Sequence, residues 1–178
     1  DAVVNAVAGS AGAIAGGARA LARAARAARV GQVVHLGSMA VYGEQQGVLD
    51  ESAPLAPAGG WYARAKREAE AALLPLAREG LAVTVLRPGC VWGPGSSLWV
   101  GRVASLLAAG RLGDLGAQGD GWSNGVHVDD VCRAVLATLR ADGGGTGRAR
   151  VFNLAAPDSP RWNTWFSDLA LAIGATPL

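Results

Sequence analysis

What most constrains this chain is an alternation of two kinds of segment. Apolar, β-branched runs at 2–8, 30–36, 81–87 and 150–154 are separated by Ala/Arg-rich stretches with helical spacing at 11–29, 61–79, 98–109 and 162–173. A further stretch, 126–140, starts extended and turns helical after Asp129. Near-continuous apolar strands are buried on both faces, the condition of a parallel sheet covered by crossover helices. An α/β domain is therefore expected. The chain has 178 residues, enough for one substantial core but not comfortably for two. It is 51% apolar and 17% charged, which excludes a disordered chain.

No apolar run approaches the ~20 residues of a membrane span. A net charge of +2 is too small to argue for nucleic acid or an anionic membrane surface. Two separated cysteines, Cys90 and Cys132, and two histidines, His35 and His127, give neither a disulfide framework nor metal-ligand spacing. No segment has the charged, apolar, small order of a signal peptide. The expectation is a cytoplasmic domain with no metal and no nucleic-acid or membrane partner. Ala, Gly and Arg richness with a single lysine suggests a GC-rich bacterial genome.

In parallel sheets the chemistry sits beyond the carboxyl ends of the strands. Ser38, after the second strand, and 88–93, after the third, thus fall on one edge, within reach of the helix that starts at 61. The sixteen basic residues are fifteen Arg and one Lys, Lys66, four positions after Tyr62, one of only two tyrosines. Four residues on a helix is one turn, so the two share a face. A phenol's reference pKa near 10 makes it useless as a base at neutral pH, and a nearby ammonium favours the phenolate. Lowering it by three units needs about 4 kcal/mol, part of which a partly desolvated lysine can supply. Such a pair is suited to general acid/base work on an alcohol or carbonyl oxygen, an effect of about 10²–10⁴ in rate. Ser38 is the third candidate, its hydroxyl fixing the substrate oxygen. The blander expectations cover most other polar residues. Asp129 and Asp130 cap a helix, Arg19, Arg23, Arg26 and Arg29 form a solvated face, His35 is structural, and His127 is a structural residue or a substrate contact.

These residues do not occur singly. The run His35-Leu-Gly-Ser38-Met-Ala-Val-Tyr42-Gly43, then Tyr62-Ala-Arg-Ala-Lys66, then Leu86-Arg87-Pro88-Gly89-Cys90-Val91-Trp92-Gly93-Pro94 resembles the extended short-chain dehydrogenase/reductases, the NAD-dependent epimerase/dehydratase group. Val126-His127-Val128-Asp129-Asp130-Val131 is similar to a further family segment, and residues 1–9 resemble the family's fourth strand. The resemblance covers essentially the whole chain. It implies a Rossmann-like doubly wound parallel sheet, of which this sequence carries the second half and part of the substrate-binding region (segments around 95–130 and 155–178). It implies NAD or NADP as cofactor, a small hydroxy or keto compound as substrate, and hydride transfer at a secondary alcohol or ketone carbon. Tyr62 is then the acid/base, Lys66 its partner and a ligand of the nicotinamide ribose, and Ser38 the holder of the substrate oxygen. Val7, Ala8, Gly9, Pro88, Gly89 and Val91 line the cofactor, and Met39, Cys90, Trp99, Asn124 and His127 face the substrate. The net reaction (oxidation, reduction, epimerisation or elimination) stays open, as does NAD against NADP. Many members pair through the helix equivalent to the one at 61, so a homodimer is also implied.

The sequence departs from the family in two ways. The family's opening Gly-x-x-Gly-x-x-Gly turn, which cradles a pyrophosphate, has no counterpart with the right spacing. Gly9-Ser-Ala-Gly12-Ala-Ile-Ala-Gly16 reads as a strand-to-helix turn. The first strand is then an unpaired apolar edge, and a fragment, or a chain whose edge a neighbour covers, is expected. The alternative function is a non-catalytic or regulatory relative that cannot bind cofactor alone. Further, Cys90 stands where many nucleotide-sugar members have Asn, and Ser123-Asn124-Gly125 where they have Arg-Asp-Phe. That disfavours a nucleotide sugar, unless Arg111 or Arg102 takes the place of the missing phosphate ligand. Six tryptophans, at 61, 92, 99, 122, 162 and 165, leave both packing and an aromatic-stacking substrate open.

Overall fold

The computed structural model describes residues 1–57, 59–141 and 147–176. The expected Gly-rich loop at 141–148 falls largely outside the described residues. The chain divides into two compact units, one made of 1–88 and 132–154, the other of 89–131 and 155–178.

The first unit is built on a parallel sheet of β1 (Ala2–Asn5), β2 (Gln32–Leu36), β3 (Ala82–Pro88) and, as its fourth member, the strand Ala149–Leu154, in that spatial order. Register runs Val3 to Val33, Val33 to Val83 and Val83 to Ala149. β3 is buried at every position, as its unbroken apolar run requires of a central parallel strand. The expected α/β parallel arrangement is what the structure has.

Between β1 and β2 the chain winds through a π-helical segment, Gly12–Gly16, into α1 (Gly17–Ala27). After β2 a 3₁₀ turn, Met39–Tyr42, and a loop lead to α2 (Trp61–Leu73). Ala18, Ala22 and Ala25 of α1 belong to one buried cluster with Ala65, Ala69 and Leu73 of α2, Ile14 and Val33. Alanine at these steps lets two helices approach closely, and its burial with the strand valines supplies the apolar driving force.

Several boundaries differ from the sequence reading. β1 stops at Asn5, whose Oδ1 accepts the Val7 amide at 3.2 Å and turns the chain away from the sheet. The helix expected over 61–79 is α-helical only to Leu73. It continues as 3₁₀ over Leu74–Glu79, because Pro75 has no amide for the α-helical ladder. Gly80, at φ 94°, then ends it. The helix expected over 98–109 is π-helical at Ser97–Arg102 before α3 (Val103–Ala108).

The second unit contains a strand pair absent from the sequence reading. β4 (Cys90–Trp92) pairs in parallel with β5 (Gly125–His127). Three-residue strands beside Pro and Gly leave too short a pattern to see. Gly89 permits the pairing, since a Cβ there would lie 2.0 Å from the Asn124 carbonyl oxygen. From β5 the chain enters α4 (Val128–Ala141), which carries it into the first unit and on to β6 (Ala149–Leu154). The second unit's core joins Val103 and Leu107 of α3 to Phe166 and Ala170 of α5 (Trp162–Ala172), with Trp162 and Trp165 packed against them. Among the described residues no helix is long and apolar enough to cross a membrane.

Candidate active site

In the first unit, Tyr62 and Lys66 lie one turn apart on α2. Tyr62 is 38% exposed and Lys66 only 4%. The Lys66 ammonium lies 5.8 Å from the centre of the Tyr62 ring and donates to the Leu36 carbonyl at 2.8 Å. That bond ties the helix to the end of β2, two residues before Ser38. Burial lowers the pKa of Lys66 from its ordinary value, partly opposed by the Glu70 carboxylate. Ser38 is extended, and its Oγ accepts the Ala40 amide at 3.2 Å. Its own proton therefore remains available for an acceptor. Met39 begins the 3₁₀ turn that follows.

Beneath this group lies a buried network that the sequence reading missed. Arg87, on β3, forks onto Glu70 of α2, with bonds of 2.7 and 3.1 Å. It also donates to the Tyr42 hydroxyl at 2.6 Å, which donates to Asn153 Oδ1 at 2.8 Å. Arg87 and Glu70 are 4% and 1% exposed as a pair. Burial disfavours the Arg87 charge, but Glu70 and then Tyr42 outweigh it and hold the guanidinium above its usual range. A Cβ on Gly37 would lie 2.6 Å from Glu70 Oε1 and 3.0 Å from Val85, so glycine there is a condition of the network. The available signal was Glu70, four residues beyond Lys66 and on the same stripe.

His35 is 1% exposed, and neither ring nitrogen has a hydrogen-bond partner. Burial first, and the Lys66 charge second, push its pKa down to about 4. The Asn5 main chain favours the charged form only weakly. His35 is thus a neutral core residue. The stretch after β1 that holds Val7, Ala8 and Gly9 is exposed, with Gly9 at φ 112°. Pro88 is the last residue of β3.

The remaining expected site residues belong to the second unit. Cys90 and Val91 lie on β4, with Gly89 before it. The Cys90 amide donates to the Asn124 carbonyl at 3.1 Å, and Asn124 adopts a left-handed φ of 48°. Burial pushes the Cys90 thiol up to about 11. Trp99 sits in the π-helical segment before α3. His127 ends β5 edge-on to Trp92, with ring centres 4.7 Å apart. Its Nδ1 accepts the Asp129 amide at 3.2 Å, so the histidine caps α4. Asp129 and Asp130 lie inside the helix's first turn, where they favour its dipole. Among the described residues no cluster of His, Cys, Asp and Glu is arranged to hold a metal ion.

The pattern of the NAD dependent epimerase/dehydratase family matches residues 6–155. The chain belongs to the NAD-dependent epimerase/dehydratase family. It is 31% identical over 157 residues to Protein YeeZ of Escherichia coli K12, covering 85% of this chain and 49% of that protein. It is 35% identical over 134 residues to a 3-diazoavenalumate denitrifying reductase of Streptomyces sp, covering 73% and 42%. Among solved structures, a dTDP-glucose 4,6-dehydratase of Streptomyces venezuelae, DesIV, with NAD and TYD bound, superposes with a TM-score of 0.77 at 27% identity. That match covers 98% of this chain and 58% of the other. The chain thus spans a little under half the length of the curated relatives it matches.

The family's cofactor is NAD. The donor set here suits it. An ammonium has three N–H donors, and the Lys66 contact to Leu36 uses one. Ribose hydroxyls are acceptors for the others, and the exposed main chain at Gly9 carries no side chain to obstruct an approach.

Proposed function

We propose that this chain performs hydride transfer at a secondary alcohol or ketone carbon, with Tyr62 as acid/base and Lys66 and Ser38 supporting it. The observation that carries the reading is the contrast between the pair. A half-exposed phenol stands beside a buried ammonium, 5.8 Å from ring centre to Nζ, with the ammonium fixed to the Leu36 carbonyl. A charge held at low exposure acts on its neighbour more strongly than one in water.

When bound, NAD or NADP supplies or accepts the hydride. In the oxidation direction Tyr62 takes the alcohol proton as the carbon loses its hydride and the carbonyl forms. In reduction Tyr62 returns that proton to the oxygen. Ser38 donates a hydrogen bond to the same oxygen and fixes its position. Lys66 holds a ribose hydroxyl and keeps positive charge beside the phenol. The same steps serve an epimerase or dehydratase, which adds its own chemistry to the transient ketone.

Tyr62→Phe removes the proton donor and leaves the ring. Turnover is expected to fall about 10²–10⁴-fold with cofactor affinity nearly intact. Unchanged turnover would remove Tyr62 from the mechanism. Titration of folded protein with NAD(H) and NADP(H) tests the reading from the cofactor side. Saturable micromolar binding supports it, and absence of binding by folded protein would overturn it.

A further inference from the structure

The second unit holds a pocket lined by Cys90, Trp92, Trp99, Ser123, Gly125, Trp162 and Trp165. We propose that it binds a single uncharged aromatic ring, such as that of an aryl alcohol or ketone. The binding site itself stands on three observations.

The first is the wall. Four of the six tryptophans line this pocket. Trp92 meets Trp165 at 5.4 Å and 61°, Trp99 meets Trp162 at 5.4 Å and 32°, and Trp162 stacks on Phe166 at 5.7 Å. These tilted and edge-on arrangements offer both ring faces and ring edges to a guest, the geometries aromatic pairs prefer.

The second is charge. No lining residue carries a formal charge, since Cys90 stays a neutral thiol. The Ser123 hydroxyl and the Gly125 amide are already paired, while the buried indole N–H of Trp165 has no partner. Ser123 and Ser159 hydroxyls meet at 2.9 Å, and the Gly125 amide donates to Ser159 Oγ at 2.6 Å. A diphosphate needs cations or free amide donors to replace its water, and this lining offers neither. A neutral ring loses little on entering it.

The third is size. The space between the side chains, open solvent at its mouth included, is about 200 Å³. The enclosed part is far smaller, so a single ring enters only as the indoles shift apart, beside the Trp99–Trp162 pair and not between its members.

The test is binding of acetophenone and 1-phenylethanol, an aryl ketone and its secondary alcohol, followed by saturation-transfer NMR on the full chain. Saturable acetophenone binding is expected, weakened about tenfold by Trp99→Ala, an effect equal to ~1.4 kcal/mol, and largely restored by Trp99→Phe. UDP-glucose should not displace it. Displacement by UDP-glucose, no binding, or affinity indifferent to Trp99 in a variant with wild-type circular dichroism would each overturn the proposal. The two readings fail separately. Aryl binding with no effect of Tyr62→Phe on turnover keeps the pocket and removes the proposed acid/base. Tyr62-dependent turnover of non-aryl alcohols without acetophenone binding does the reverse.

Discussion

His35 shows how one residue can set the acid limit of this fold. It sits on β2, fully enclosed, neutral and without a hydrogen-bond partner. Its pKa is about 4 when folded, against an ordinary 6.5. Between these values the unfolded chain binds a proton that the folded chain refuses, so stability rises with pH. The His35 contribution is intact above 6.5 and is lost as pH falls through 6.5 towards 4, to a total of about 3 kcal/mol. Urea midpoints at pH 7 and pH 4.5 should therefore differ markedly in the wild type and much less in His35→Leu. An equal difference in both would show that other groups carry the acid sensitivity. At this scale legibility follows sequence separation. Tyr62 and Lys66 could be paired from the sequence because a four-residue step on a helix fixes a shared face. The Arg87 partners Glu70 and Tyr42 lie 17 and 45 positions away, and only the fold brings them together.

α2 is the element on which the candidate site depends. Tyr62, Lys66 and Glu70 follow one another at four-residue steps along one stripe, running from half-exposed to fully buried. On the adjoining stripe of the helix, Ala65 and Ala69 pack in the buried cluster with α1. Glu70 and Arg87 thus join α2 to β3, and the Lys66 bond joins it to β2. Removing one partner of a buried ion pair leaves an uncompensated charge and typically costs about 3–5 kcal/mol, whereas replacing both with apolar groups is often close to neutral. Glu70→Ala is therefore expected to lower the melting temperature severely. Glu70→Leu with Arg87→Met should recover most of the loss, with Tyr42 still bonded to Asn153. Thermal melts of the single and double variants check this, and a double variant as unstable as the single would show that the network is needed as a whole. Elements with long patterns, such as β3 and α1, were visible in the sequence because their periodicity spans several turns or residues. β4 and β5 were not, since three residues each carry no period and their pairing depends on Gly89 admitting the Asn124 carbonyl.

At the scale of the whole molecule, the chain passes between its two units three times, after 88, 131 and 154, the second time within α4. Neither unit is a continuous stretch, so neither can unfold without freeing chain ends that belong to the other. Sequence periodicity carries no signal of such interleaving, because it records elements and not the order in which they are collected. The tryptophans give a direct way to follow it. Five of the six, at 92, 99, 122, 162 and 165, lie in the second unit, and only Trp61 lies in the first. Trp61→Phe makes indole emission a report on the second unit alone, while far-UV circular dichroism is weighted towards the first unit's sheet and its helices α1 and α2. A small chain that unfolds cooperatively gives coincident transitions by different probes. The expected result is one midpoint in urea by both signals, because α4 is a single helix shared by both units and its melting releases each. Emission that changes at lower urea than the circular dichroism would mean that the aromatic unit opens first. In that case α4 must end its cooperative segment near Val131, and acetophenone, if it binds the tryptophan pocket, should raise the emission midpoint alone.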